Sequence, residues 1–179
     1  PGNTVSNLSS TRALDDVTAN HKGIYYASAV GEVNVVTKMK EVHAVIGGEG
    51  NGGVIYPAIH YGRDALVGIA LFLTHLAHTG HKMTTLKNSY PAYYISKNKI
   101  SLTESTNVDA LLVQFIEKYK NNKLNIEDGI RIDYEKEWVH LRKSNTEAII
   151  RVIAESATKE RADALAQRII SELNVIMHL

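Results

Sequence analysis

The chain contains no cysteine, which excludes disulfide crosslinks, thiol nucleophiles and cysteine metal cages and fits a reducing, cytoplasmic setting. It has no charged-then-apolar leader pattern, and its longest apolar run, "ALVGIALFL" from Ala65 to Leu73, ends well short of the roughly 20 residues that a membrane span needs. No charge of one sign dominates. Twenty basic residues stand against nineteen acidic ones, for a formal net charge of +1, and no run of like charge offers a nucleic acid or an anionic membrane a broad footprint. Proline is scarce, with Pro57 and Pro91 the internal ones. What is present is ample apolar content, 44% of 179 residues, enough to bury the core of one medium domain or two small ones. The sequon-like "NLS" at Asn7 then reads as incidental.

The pattern along the chain alternates β and α as far as Pro91 and then changes. Val5 to Leu8 reads as a short strand, and "SSTRALDDVTANHKG" as a helix capped by Ser9 or Ser10 and ended by Gly23. "IYYASAV" is β-rich, "EVNVVTKMKEV" has helical spacing after Gly31, and "HAVI" is a short strand running into "GGEGNGG". Past Pro57, "HYGRDALVGIALFLTHLAHTG" is apolar on nearly every face and predicts a buried helix closed by Gly80. "HKMTTLKNSY" is a second short helix, stopped at Pro91. Alternation of this kind predicts a helix-covered sheet. Beyond Pro91 stand a strand "AYYISKNKISL", a helix "VDALLVQFIEKYK", a hairpin "IRIDYEKEWVHLR", a strand "IIRVIAES" and a final helix from about Thr158. In the hairpin, Ile130, Ile132 and Tyr134 alternate with Arg131 and Asp133, as a strand with one buried face should. The fold class expected is α/β plus α+β, with domains 1–91 and 92–179.

Five glycines surround Glu49 and Asn51 in "GGEGNGG", so the backbone there is arranged for close approach. The spacing also satisfies G-x-G-x-x-G. That reading requires a helix directly after the turn and an acidic residue about twenty positions on, whereas "VIYPAIHYG" follows, and the positions twenty further on are apolar. A glycine-rich surface turn is the plain alternative. Against it, a carboxylate and an amide two positions apart on exposed backbone are groups that bind vicinal sugar hydroxyls. A second polar loop, "LRKSNTEAIIRV", sets Arg142, Ser144, Asn145 and Thr146 between two strands, with Arg151 in the second. Cations, hydroxyls and turn N–H groups form an anion cradle suited to a phosphate dianion, with an ordinary polar hairpin turn as the alternative.

The two loops together point to a family. "GGEGNGG", preceded by "SAVGEVNVVTKMKE" and followed by "YGRDALVGI", resembles the third domain of the α-D-phosphohexomutases (phosphomannomutase, phosphoglucomutase and phosphoglucosamine mutase), whose sugar loop has the form Gly-Glu-x-Ser/Asn-Gly. "RKSNTEAIIRV" looks like the phosphate loop of their C-terminal domain. The resemblance implies sugar-hydroxyl contacts at Glu49 and Asn51, a site-lining glycine at Gly31, and phosphate contacts at Arg142, Ser144, Asn145, Thr146 and Arg151. It departs from the family at three positions: many bacterial members carry histidines where Glu32 and Gly53 stand, and Ala148 replaces the usual proline.

By the same resemblance, the family transfers phosphate from a phosphoserine in its first domain and holds Mg²⁺ in an Asp-x-Asp-x-Asp loop of its second. Neither motif occurs here, so no catalytic residue and no metal ligand is expected in this chain. The family's third domain also opens with a strand and helix ahead of the segment matching "NTVSNLSSTRALDD". The expectation is a C-terminal part, an incomplete third domain plus a complete fourth, whose partners are a hexose phosphate and the N-terminal domains of the same protein, with neither nucleic acid nor membrane. Such a protein would interconvert hexose 6-phosphate and hexose 1-phosphate through a 1,6-bisphosphate, and the fragment alone would be inactive. A non-enzymatic phosphosugar-binding module and a ligand-free structural pair are the rival readings. His75, His78 and His81 read as an exposed helix end rather than a metal site, Asp15 and Asp16 as a solvated helix face, and Trp138 as a core or sheet-face residue.

Overall fold

A computed structural model describes residues 1–103, 107–144 and 146–177. The chain divides into two compact units, the first Pro1–Ala92 and the second beginning at Tyr93.

The first unit runs β1 (Thr4–Asn7), α1 (Ala13–Asn20), β2 (Tyr25–Ser28), α2 (Glu32–Glu41), β3 (Ile46–Gly48), β4 (Val54–Tyr56), β5 (His60–Arg63), α3 (Ala65–Thr79) and α4 (Met83–Ser89). Its sheet has the order β2-β1-β3-β4-β5. β1 lies parallel to β2 and to β3, and β4 and β5 turn back antiparallel. Val5, Val35, Met39, Ala44 and Ile55 form its core, which α2 closes over the sheet because Val35 and Met39, four apart, share one helical face.

Three local expectations change here. Ser9 and Ser10 do not cap α1. Arg12 holds that position without a side-chain cap bond, because the Asn7 amide oxygen draws the Ser9 N–H and the Ser10 hydroxyl, at 3.1 and 3.0 Å, into a turn at the end of β1. The helix also ends at His21, with Lys22 rather than Gly23 adopting the left-handed turn at φ 60°. The long apolar helix is not buried: His60–Arg63 form a strand, α3 starts after Asp64, and none of its residues is buried. It touches β4 through Gly68, where a Cβ would lie 3.1 Å from Val54, and most of its remaining apolar side chains face outward. Its end at Gly80, left-handed at φ 63°, is as the sequence predicts.

The second unit runs β6 (Tyr94–Ser101), α5 (Val108–Tyr119), β7 (Lys123–Asn125), β8 (Ile130–Asp133), β9 (Trp138–Lys143), β10 (Ile149–Ser156) and α6 (Lys159–Met177). The sheet order is β6-β10-β9-β8-β7, antiparallel throughout. Ile100, Ile150, Val152, Leu141 and Ile130 point to one face, where Phe115 of α5 and Leu165, Ile169 and Leu173 of α6 complete the core. The opposite face is polar and is closed around Trp138, His140 and Glu155. Arg131, expected on an open face, is buried because its guanidinium stacks 4.3 Å from the Trp138 ring and pairs with Asp133 at 2.9 Å. Trp138 in turn donates its indole N–H to the buried Glu155 at 2.7 Å.

Candidate functional site

Parallel strands on either side of β1 leave a switch point between the carboxyl ends of β1 and β3, the place where open α/β sheets bind ligands. The glycine loop springs from there. It is a tight hairpin between β3 and β4, closed by Glu49 N–H to Gly53 carbonyl at 2.9 Å and Gly52 N–H to Glu49 carbonyl at 3.1 Å. Gly52 sits at φ 92°, and a Cβ on Gly48 would lie 2.2 Å from the Gly53 oxygen, so both positions demand glycine. No helix follows, which removes the dinucleotide reading. A cavity of about 250 Å³ opens beside the loop, walled by Gly47, Gly48, Glu49 and Gly53, with Ser10 and Leu14 among its other lining residues.

Glu49 does not stand on exposed backbone without a cation. Its side chain is only 6% exposed. A carboxylate so placed requires partners: the Asn7 amide donates to one oxygen at 3.2 Å, and Arg63 to the other at 3.3 Å. Arg63 also reaches Glu32 through its own backbone N–H, at 3.0 Å, and through Nε, at 2.8 Å. That backbone bond, then the guanidinium, holds the Glu32 carboxyl below its ordinary range. Gly31, the N-cap of α2, precedes Glu32 directly. Asn51 turns its oxygen inward to the Gly53 N–H at 3.1 Å and is otherwise exposed. Beside Arg63, Asp64 caps α3 by accepting the Val67 N–H at 3.0 Å.

In the second unit, register sets which cations lie side by side. Arg142 and Arg151 are directly opposite on β9 and β10, and Lys99 of β6 is opposite Arg151, so three cations share one row on the face away from the core. Like charges so placed repel, and each arginine rests on a carboxylate: Arg142 on Asp128 at 3.6 Å, Arg151 on Glu147 at 2.9 Å. Strand alternation carries Ser144 to the same face as Arg142, and its N–H to the Ile149 carbonyl, at 3.0 Å, keeps that ladder intact. The Ser144 hydroxyl lies 3.5 Å from that of Thr146 and accepts the N–H groups of Thr146 and Glu147 at 3.4 and 3.3 Å. Asn145 lies outside the described residues. Among the described residues no three His, Asp or Glu side chains converge as a metal site would require.

Residues 1–94 match the family model of the phosphoglucomutase/phosphomannomutase alpha/beta/alpha domain III, and residues 99–172 that of the C-terminal domain of the same family. The chain belongs to the phosphoglucomutase/phosphomannomutase family. A phosphoglucomutase/phosphomannomutase of Thermococcus kodakarensis is 31% identical over 158 residues, which are 88% of this chain and 35% of that protein. A phosphoglucosamine/phosphogalactosamine mutase of Sulfurisphaera tokodaii is 29% identical over 97% of this chain and 38% of its own length. The crystal structure of a family protein from Burkholderia thailandensis superposes with a TM-score of 0.79 at 24% identity, over 97% of this chain and 37% of that one. This member of the phosphohexomutases thus spans little more than a third of its relatives' length and corresponds to their two C-terminal domains. The α/β and α+β classes expected from its sequence hold.

Sequence reasoning missed Arg63, Asn7 and Lys99. Arg63 stands in "YGRDAL", just ahead of the helix cap, where local pattern says nothing of a carboxylate fourteen positions back. Asn7 carried a usable signal, since an asparagine ending a strand before two serines reads as a turn.

Proposed function

We propose that this chain is the sugar- and phosphate-recognition part of a phosphohexomutase that interconverts hexose 6-phosphate and hexose 1-phosphate through a 1,6-bisphosphate. The observation that carries this reading is Glu49, a carboxylate withdrawn from solvent at a sheet switch point and already oriented by two donors. Its remaining lone pairs accept sugar hydroxyls, and Asn51 at the rim offers a further donor. Arg142, Ser144, Thr146 and Arg151 hold the phosphate remote from the reacting carbon; the incoming dianion displaces Asp128 and Glu147 from the two guanidinium groups. Phosphate donor and Mg²⁺ belong to the N-terminal domains of the full-length, cytoplasmic enzyme. A second reading, an amino-sugar phosphate, is favoured by one observation: Glu32 and Glu49 share a single guanidinium, which leaves the loop with a negative charge that suits an ammonium group.

The test is a mutase assay of the full-length protein on the 6-phosphates of mannose, glucose and glucosamine. Arg142→Ala should weaken phosphosugar binding by about 2 kcal/mol without changing the fold, the scale of a hydrogen bond to a charged partner. The isolated chain should show no turnover. An Arg142→Ala enzyme with unaltered affinity would remove the phosphate half of the reading, and turnover by the isolated chain would overturn the division of roles.

A further inference from the structure

We infer that Arg63 is the residue that positions Glu49, and that Glu32 and Gly53 exist in their present form to hold Arg63 there. This rests on the reading of Glu49 as the acceptor of sugar hydroxyls. Three independent features converge on the Arg63 side chain. Its backbone N–H and Nε bond the two oxygens of the Glu32 carboxylate, at 3.0 and 2.8 Å, which anchors the residue once at its main chain and once at its guanidinium. Its Nη1 then meets the nearly buried Glu49 at 3.3 Å. Finally, Gly53 leaves the space through which the arginine stem passes: a Cβ there would lie 2.6 Å from Arg63 Cδ and 3.1 Å from its Cγ. Those atoms belong to the middle of the side chain, so any residue larger than glycine at 53 would push the guanidinium off Glu49.

The arrangement also explains how a nearly buried carboxylate is held at the base of an exposed loop. The Asn7 amide and Arg63 each occupy one Glu49 oxygen, so the group stays oriented while free lone pairs remain for a ligand. Lysine in place of Arg63 would keep a charge but could not span both carboxylates, because a single ammonium lacks the fork. Arg63 acts through Glu49 and is a positioning residue.

The experiment is a double-mutant cycle in the full-length protein, with hexose 6-phosphate turnover as the readout. Arg63→Ala should lower kcat/KM roughly tenfold to a hundredfold, the range of a hydrogen bond to a charged group. Combined with Glu49→Gln it should cost no more than Glu49→Gln alone, because a positioning residue has nothing left to position. Gly53→His should impair the enzyme while Arg63 is present. In the Arg63→Ala background the same histidine should restore part of the activity, and only below its ordinary pKa of about 6.5, where the imidazolium can replace the guanidinium. Should Arg63→Ala fail to fold, Arg63→Lys replaces it in the cycle. Losses that multiply in the double variant, or Arg63→Ala activity within about twofold of wild type while Glu49→Gln is impaired, overturn this inference alone. No turnover by the wild-type protein on any of the three sugars overturns the parent reading and this one with it.

Discussion

At the scale of single residues, two ionisable groups outside the glycine loop show how burial decides chemistry. His140, between Arg131 and Arg142 along the polar face of the second sheet, is buried, and its Nε2–H donates to the Asp128 carbonyl at 2.6 Å. Burial pushes its pKa below the ordinary 6.5, and the neighbouring Arg131 and Arg142 charges push the same way, against the Asp128 carbonyl and carboxylate. The imidazole therefore takes up a proton less readily in the folded state than in the unfolded chain. Its contribution to stability is fully present above pH 6.5 and is lost as the pH falls from there through the lowered folded-state value. We expect His140→Gln, which can keep the donor to Asp128, to flatten the fall in urea midpoint between pH 8 and pH 5; a variant with the wild-type slope would rule this group out as its source. Arg131 beside it shows the converse. A cation expected in solvent is buried because an aromatic face and a carboxylate take it up together.

At the scale of elements, α3 departs most from its sequence pattern. Its composition reads as a core helix, yet it is held mainly at its N-terminus and along one contact with β4. Asp64 accepts the Val67 N–H there, receives the His60 ring nitrogen at 3.1 Å, and has its carboxyl pKa held down first by the Val67 bond and then by His60. Because Gly62 N–H donates to His60 Nδ1 at 2.9 Å, Nε2 carries the proton and is the donor to Asp64. With so little tertiary burial along the helix, the cap bears an unusual share of its stability. Asp64→Ala should cost about 1 kcal/mol, measured as a shift of the thermal midpoint of the first unit, with amide exchange accelerated from Ala65 through Ile69. Unchanged exchange in that segment would mean the cap contributes nothing beyond the strand connection.

At the scale of the whole molecule, the chain carries a broad apolar surface on α3, with Leu66 78% exposed and Ile69 and Leu73 each 54%. Contiguous patches of this kind bind apolar dyes and associate. The folded chain should therefore bind 1-anilinonaphthalene-8-sulfonate, and the pair Leu66→Lys and Leu73→Lys should abolish that binding without lowering the thermal midpoint; a persistent signal would place the apolar surface elsewhere. Much of the architecture was legible beforehand, since periodicity and breakers are local: the β/α alternation before Pro91, the Gly80 stop and the amphipathic α5 and α6 all follow from neighbours within a few positions. The short edge strand β7 and the strand at His60–Arg63 were not legible, because pairing across a sheet, more than the residues themselves, makes them strands. The sequence by itself determined which residue types are gathered in the two polar loops. Only the tertiary structure decided that Glu49 would be nearly buried, that Arg63 and Asn7 would share it, and that Arg142 and Arg151 would stand opposite each other. The physical reason is that charge pairing and burial depend on through-space distance, and chain folding brings to about 3 Å groups whose separation along the sequence carries no trace of it.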